Sequence, residues 1–190
     1  MVYYLLMKYV YLRRQIEENF FRILDVVKLF PGEKATTIRT QLYRLTKKGF
    51  IVPIKRGLYC FDKNKVDELD LAGQLYSPSY VSLETALNYY GVIPDIPMAV
   101  SCVTPTTTKK IETSFGNFYY QKIDRQLFFG FSRTPFTIAY KEKALLDYFY
   151  LRRIRKASLE TRLRLNDWDW KRYHTYAAAY PSWVRQIKLP

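Results

Sequence analysis

The sequence predicts an α+β chain in two parts. A basic, helix-rich N-terminal part ends in a short hairpin, and a mixed α+β part with a small sheet and several helices follows. Three observations carry this. Residues 34–48 place apolar side chains at helical spacing with polar ones opposite; after Gly49 the period becomes that of strands; and beyond residue 75 helical and alternating segments are interspersed.

Taken in order, residues 2–13 read as a first helix. ILDVVKLF (23–30) puts Ile23, Val26, Val27 and Phe30 on one helical face, and Pro31-Gly32 stops that helix. The next helix covers 34–48. Its apolar stripe is Ile38, Leu42 and Leu45, at i, i+4 and i+7. Its opposite stripe is Thr37, Gln41, Arg44 and Lys48, with Thr36, Arg39, Thr40 and Lys47 beside it. These side chains suit a major groove: arginine pairs with guanine, glutamine with adenine, threonine with a thymine methyl, and lysine with phosphate. FIVPI, a Lys55-Arg56-Gly57 turn and LYCF then make two short strands, with Pro53 tolerable only on an edge. Three helices and a basic hairpin, complete by Phe61, spell a winged helix-turn-helix over residues 1–65. Two blander readings stay open. The charged stripe could be a solvated helix face, and Arg56 could brace the hairpin instead of contacting phosphate.

Charge points the same way. The 190 residues carry 31 Lys plus Arg against 17 Asp plus Glu, a net +14. Residues 1–65 hold 14 basic and 5 acidic residues, net +9, so the excess concentrates beside the motif. A basic excess alone would also suit anionic lipid, but this concentration favours double-stranded DNA. The apolar opening MVYYLLMKYVYLRR contains Lys8 and lacks a small-residue cleavage site, and no run reaches the roughly 20 apolar residues of a membrane span. A cytoplasmic protein without membrane association is expected. Cys60 and Cys102 sit in apolar strand-like runs and read as buried free thiols.

DKNKVDELD (62–70) reads as a linker or surface helix, and a second part over 70–190 follows. Ser79–Tyr90 looks helical, with Leu83, Ala86, Leu87 and Tyr90 as its stripe and Gly91 to end it. MAVSCVT (98–104) alternates like a strand, 109–123 reads as a hairpin turning near Gly116, and LFFGFS and PFTIAY continue the pattern. KEKALLDYFYLRRIRK (141–156) is helical with Leu145, Tyr148 and Phe149 inward, and stretches near 158–165 and 168–179 look helical too. Lys141, Lys143, Arg152, Arg153 and Arg155 would then decorate one helix with a basic end, facing a protein partner or nucleic acid, or simply water.

Catalytic patterns are absent from the sequence. His174 is the sole histidine, no His or Cys pair has metal-ligand spacing, and the seven glycines form no phosphate-binding loop. Asp167 and Asp169 straddle Trp168 but suit a helix N-terminus better than an acid–base pair. No enzyme activity, metal or cofactor is expected.

Several segments resemble the AbiEi-type antitoxins of type IV toxin–antitoxin systems, from the N-terminus to about residue 151. They are the Arg56-Gly57-Leu58-Tyr59 wing, the run from Tyr76 through Leu87, Tyr90-Gly91-Val92-Ile93-Pro94, Val103-Thr104, Phe115-Gly116 and Lys141 through Asp147. The chain departs from the family pattern at Lys141, where a proline is usual, and its last 35 or so residues match nothing in it. The resemblance implies an autorepressor that binds its own promoter and neutralises, directly or indirectly, a nucleotidyltransferase-like toxin encoded beside it. The rival expectations are a winged-helix transcription factor with a ligand-sensing domain and, further off, a nucleic-acid-processing enzyme.

Overall fold

A computed structural model describes residues 2–154 and 163–189. The chain is a mixed α+β protein whose described residues form eight α-helices and two sheets. It divides into two compact units. One is Met1–Asp67 with Thr113–Phe115; the other is Glu68–Glu112 with Gly116–Pro190. Among the described residues no helix is long and apolar enough to cross a membrane.

The first unit runs α1 (Val2–Gln15), β1 (Phe20–Arg22), α2 (Ile23–Leu29), α3 (Ala35–Lys47), β2 (Val52–Lys55) and β3 (Leu58–Cys60). Its core gathers Leu12 from α1 and Ile16 just past that helix, Val26 from α2, Ile38, Leu42 and Leu45 from α3, and Ile51 and Phe61 from the segments flanking the hairpin. Burying each such side chain contributes about 1.5–3 kcal/mol, so the three on α3 fix which face of that helix points inward. The helix ends where Gly49 takes a φ of +73° and the Phe50 N–H returns to the Leu45 carbonyl at 3.1 Å. β2 and β3 pair antiparallel around the two-residue Arg56-Gly57 turn, and Gly57 supplies its φ of +80°. Ile54 is the extra residue of a bulge and still reaches the core side.

β1 was not anticipated. It pairs with β3, not with β2, giving the order β1-β3-β2 and leaving Pro53 on an edge strand. Three residues show no period, and their partner lies about 40 positions away, Phe20 opposite Cys60. Asn19 closes this corner: its Nδ2 donates to the Asp62 carbonyl and its Oδ1 accepts from the Asp62 N–H, both at 2.9 Å.

The second unit comprises α4 (Glu68–Leu75), β4 (Tyr80–Val81), α5 (Leu83–Tyr89), β5 (Val100–Thr104), β6 (Lys109–Thr113), β7 (Gly116–Lys122), β8 (Phe131–Ser132), β9 (Ile138–Ala139), α6 (Lys141–Arg152), α7 (Trp170–Ala177) and α8 (Ser182–Arg185). The sheet is larger than expected, six strands in the order β6-β7-β5-β4-β9-β8. β5 lies at its centre, buried along its whole length, parallel to β7 and antiparallel to β4.

Two helical expectations change. The segment from Ser79 is not helical at first: Tyr80 and Val81 pair with Val103 and Cys102, and the helix begins only at Leu83. Tyr90 falls past its end and is 36% exposed, while Leu83, Ala86 and Leu87 are fully buried. Of the stretch near 158–165, residues 158–162 lie outside the described residues, and 163–165 are not helical. Cys60 and Cys102 are buried free thiols on β3 and β5, and burial pushes both thiol pKa values up.

Candidate nucleic-acid interface

With Ile38, Leu42 and Leu45 buried, the helical period turns Thr36, Thr37, Arg39, Thr40, Arg44, Lys47 and Lys48 outward, and all seven are exposed. Lys47 Nζ lies 5.6 Å from the centre of the Tyr43 ring, and Tyr43 is itself 61% exposed. Helical spacing of polar and apolar residues carries no signal for an exposed aromatic on this face. Thr40 Oγ1 donates to the Thr36 carbonyl at 3.0 Å, so that hydroxyl is engaged with its own helix and offers chiefly its methyl.

Gln41 differs from its neighbours. It is half-buried, and its Nε2 donates to Glu33 Oε2 at 3.1 Å. One amide hydrogen is therefore taken, and the expected two-bond recognition of adenine must share the group with a carboxylate. In the hairpin Arg56 is exposed and Lys55 half-buried. Both flank the Gly57 turn of the same unit.

The expected basic face of α6 does not exist as such. Lys143 is completely buried, so its assignment as a partner-facing charge is wrong. Its Nζ contacts Asp147 Oδ1 at 2.5 Å, Tyr180 Oη at 2.7 Å and Tyr80 Oη at 2.9 Å. It also lies 5.1 Å from the Phe129 ring centre. Asp147 accepts in addition from Ser82 Oγ at 2.8 Å, Tyr80 Oη at 3.0 Å and Tyr180 Oη at 2.6 Å. Burial pulls the ammonium pKa down while Asp147 opposes that pull, and burial followed by the Asp147 charge raises both phenols. α6 is sandwiched on nearly every side, with Glu142 buried as well. A helix so enclosed cannot show a charged face, because every ion on it must find an internal partner.

Arg152 is also engaged. It clasps Glu84 through two bonds of 2.6 and 2.9 Å and reaches Gln121 Oε1 at 2.9 Å, and the Glu84 bond raises its pKa further. Lys141 Nζ donates to the carbonyls of Asn166 and Asp167, at 3.0 and 2.5 Å. Arg153 is exposed, ends α6 in the left-handed region with a φ of +54°, and lines a surface hollow of about 440 Å³ with Lys122, Tyr150 and Trp183. Arg155 lies outside the described residues. Of these charges among the described residues, Arg153 is the exposed one that no side-chain hydrogen bond or ion pair ties to the fold.

Asp169 caps α7, accepting the Arg172 N–H at 2.8 Å, and Asp167 sits before that helix with a φ of +52°. His174 is exposed beside the Trp170 ring, 6.1 Å between centres. Among the described residues no three His, Cys, Asp or Glu side chains group to hold a metal ion. Comparison of the sequence with known protein families and with curated proteins finds no match.

Proposed function

We propose that the first unit is a winged helix-turn-helix that binds double-stranded DNA, with α3 as its reading helix and the Arg56-Gly57 turn as its wing tip. The observation that carries this is the exposed polar face of α3, Thr37, Arg44 and Lys48 with Arg39 and Lys47, opposite a fully buried apolar stripe. The element order and the sheet order β1-β3-β2 support it, since a strand between the first two helices that joins the hairpin is the usual winged arrangement. The net +9 of residues 1–65 supplies the attraction to phosphate.

The resemblance to AbiEi-type antitoxins supports a fuller reading. The chain represses its own operon and counters a nucleotidyltransferase-like toxin, with the second unit serving recognition. On this reading Arg153 is the charge to test for contact with the toxin or its nucleic acid, since Lys143 is internal and Arg152 braced.

The test is binding of the full chain to a duplex from upstream of its own gene, across salt. With about 6–8 phosphates engaged, affinity falls on the order of a thousandfold between 50 and 200 mM salt. The duplex is also preferred over unrelated sequences. Equal affinity for all duplexes, or a flat salt response, would overturn the reading.

A further inference from the structure

Between residues 33 and 61 the sequence holds seven Lys and Arg and a single acid, Glu33. That acid is half-buried, and its carboxylate meets the face proposed to read DNA at Gln41. Glu33 lies in the turn before α3, two residues ahead of its first residue. Its carboxylate nonetheless takes the Gln41 amide at 3.1 Å, eight residues along. The bond holds Glu33 across the first turns of the helix, over the Thr37–Gln41 side that presents residues four apart on one face. In helix-turn-helix proteins the N-terminal turns of the reading helix are those that meet base edges.

A carboxylate in that place has a narrow choice of partners. It accepts only, and it repels phosphate and every acceptor-bearing edge. In the major groove guanine shows two acceptors and thymine an acceptor and a methyl. Adenine's donor has an acceptor beside it, while cytosine shows its N4 amino donor alone. We infer that Glu33, positioned by Gln41, is a specificity-determining residue that selects cytosine at one position of the bound site. The inference rests on the DNA-binding reading above and deepens it. A second consequence is weaker binding to random duplex, because the carboxylate adds a negative charge to an otherwise basic stretch.

The experiment is selection from a randomised duplex pool by the full chain and by Glu33→Ala, Glu33→Gln and Gln41→Ala. Each variant is first checked for native helicity by circular dichroism. The wild type yields a motif with one cytosine column. Glu33→Ala lowers preference for that base about tenfold and binds random duplex more tightly. Glu33→Gln keeps the shape and hydrogen bonding yet admits bases other than cytosine, because an amide presents donor or acceptor. It therefore carries the test if the alanine variant does not fold. Gln41→Ala blurs the same column by releasing the carboxylate. A wild-type motif reproduced unchanged by both Glu33 variants overturns this inference and leaves the DNA reading intact. A wild-type pool with no enrichment overturns the DNA reading and this inference with it.

Discussion

Lys143 and Asp147 form an ion pair one helical turn apart, 2.5 Å between Nζ and Oδ1, with both side chains fully excluded from water. Ser82 beside β4, Tyr80 on β4 and Tyr180 beyond α7 complete the pair's hydrogen bonds. The cluster thus ties the sheet, α6 and the C-terminal segment at one point. Removing one partner would strand the other charge. Asp147→Asn or Lys143→Met is expected to destabilise the second unit by about 3–5 kcal/mol. Tyr180→Phe, which removes one hydroxyl from the network, is expected to cost about 1–2 kcal/mol. All three tryptophans, Trp168, Trp170 and Trp183, lie in that unit, so tryptophan fluorescence during urea unfolding reports on it alone. A parental midpoint for Asp147→Asn would refute the structural role of the pair.

On the proposed DNA-binding reading, the exposed face of α3 divides into readers and anchors. Arg44→Ala is expected to relax discrimination between the operator and a mutated site by about 1–3 kcal/mol. Lys48→Ala is expected to weaken all duplexes alike and to lower the salt slope by about one. Titration of both variants against matched and mismatched duplexes at several salt concentrations separates the two effects. An unchanged preference in Arg44→Ala would mean that another face reads the bases.

On the antitoxin reading proposed above, repression and protection separate within the full chain. Arg44→Ala with Lys48→Ala, supplied from an independent promoter, is expected to lose repression of a reporter while still protecting cells that express the adjacent toxin. Arg153→Glu is expected to do the reverse, because Arg153 is exposed in the other unit. Loss of protection in the α3 double variant would place protection in the first unit.

Alkaline pH offers a check on the aromatic packing of the C-terminal segment. Burial raises the Tyr173 pKa to about 12, against an unperturbed value of about 10. Between those values the unfolded chain has lost a phenolic proton that the folded chain keeps. Stability from this residue is therefore full below about pH 10 and falls as pH rises toward 12, by on the order of 2 kcal/mol. Tyr173→Phe is expected to show a shallower loss over that window in urea titrations. Equal slopes for the two proteins would place the Tyr173 phenol in water.

Elements whose partners are close at hand are legible from the residues alone. The helical period around Ile38, Leu42 and Leu45 is local, and so are the glycine stops at Gly49 and the Arg56-Gly57 turn, since each depends on residues a few positions apart. From the burial of that apolar stripe the outward placement of Arg44 and Lys48 follows directly.

Features that depend on distant partners emerge only in the folded chain. β1 and β4 exist because Cys60 and Val103 lie across from them. Gln41 and Glu33, eight positions apart, join through a side-chain bond no periodicity reveals. Lys143 departs furthest from what its local sequence suggests. A lysine in a charged run reads as solvent-facing, because burying an unpaired ammonium is prohibitive. Asp147 one turn on, with phenols from Tyr80 and Tyr180 63 and 37 residues away, makes its burial possible. Charge has a local sequence signature, but the partners that allow charge to be buried are brought together only by the fold.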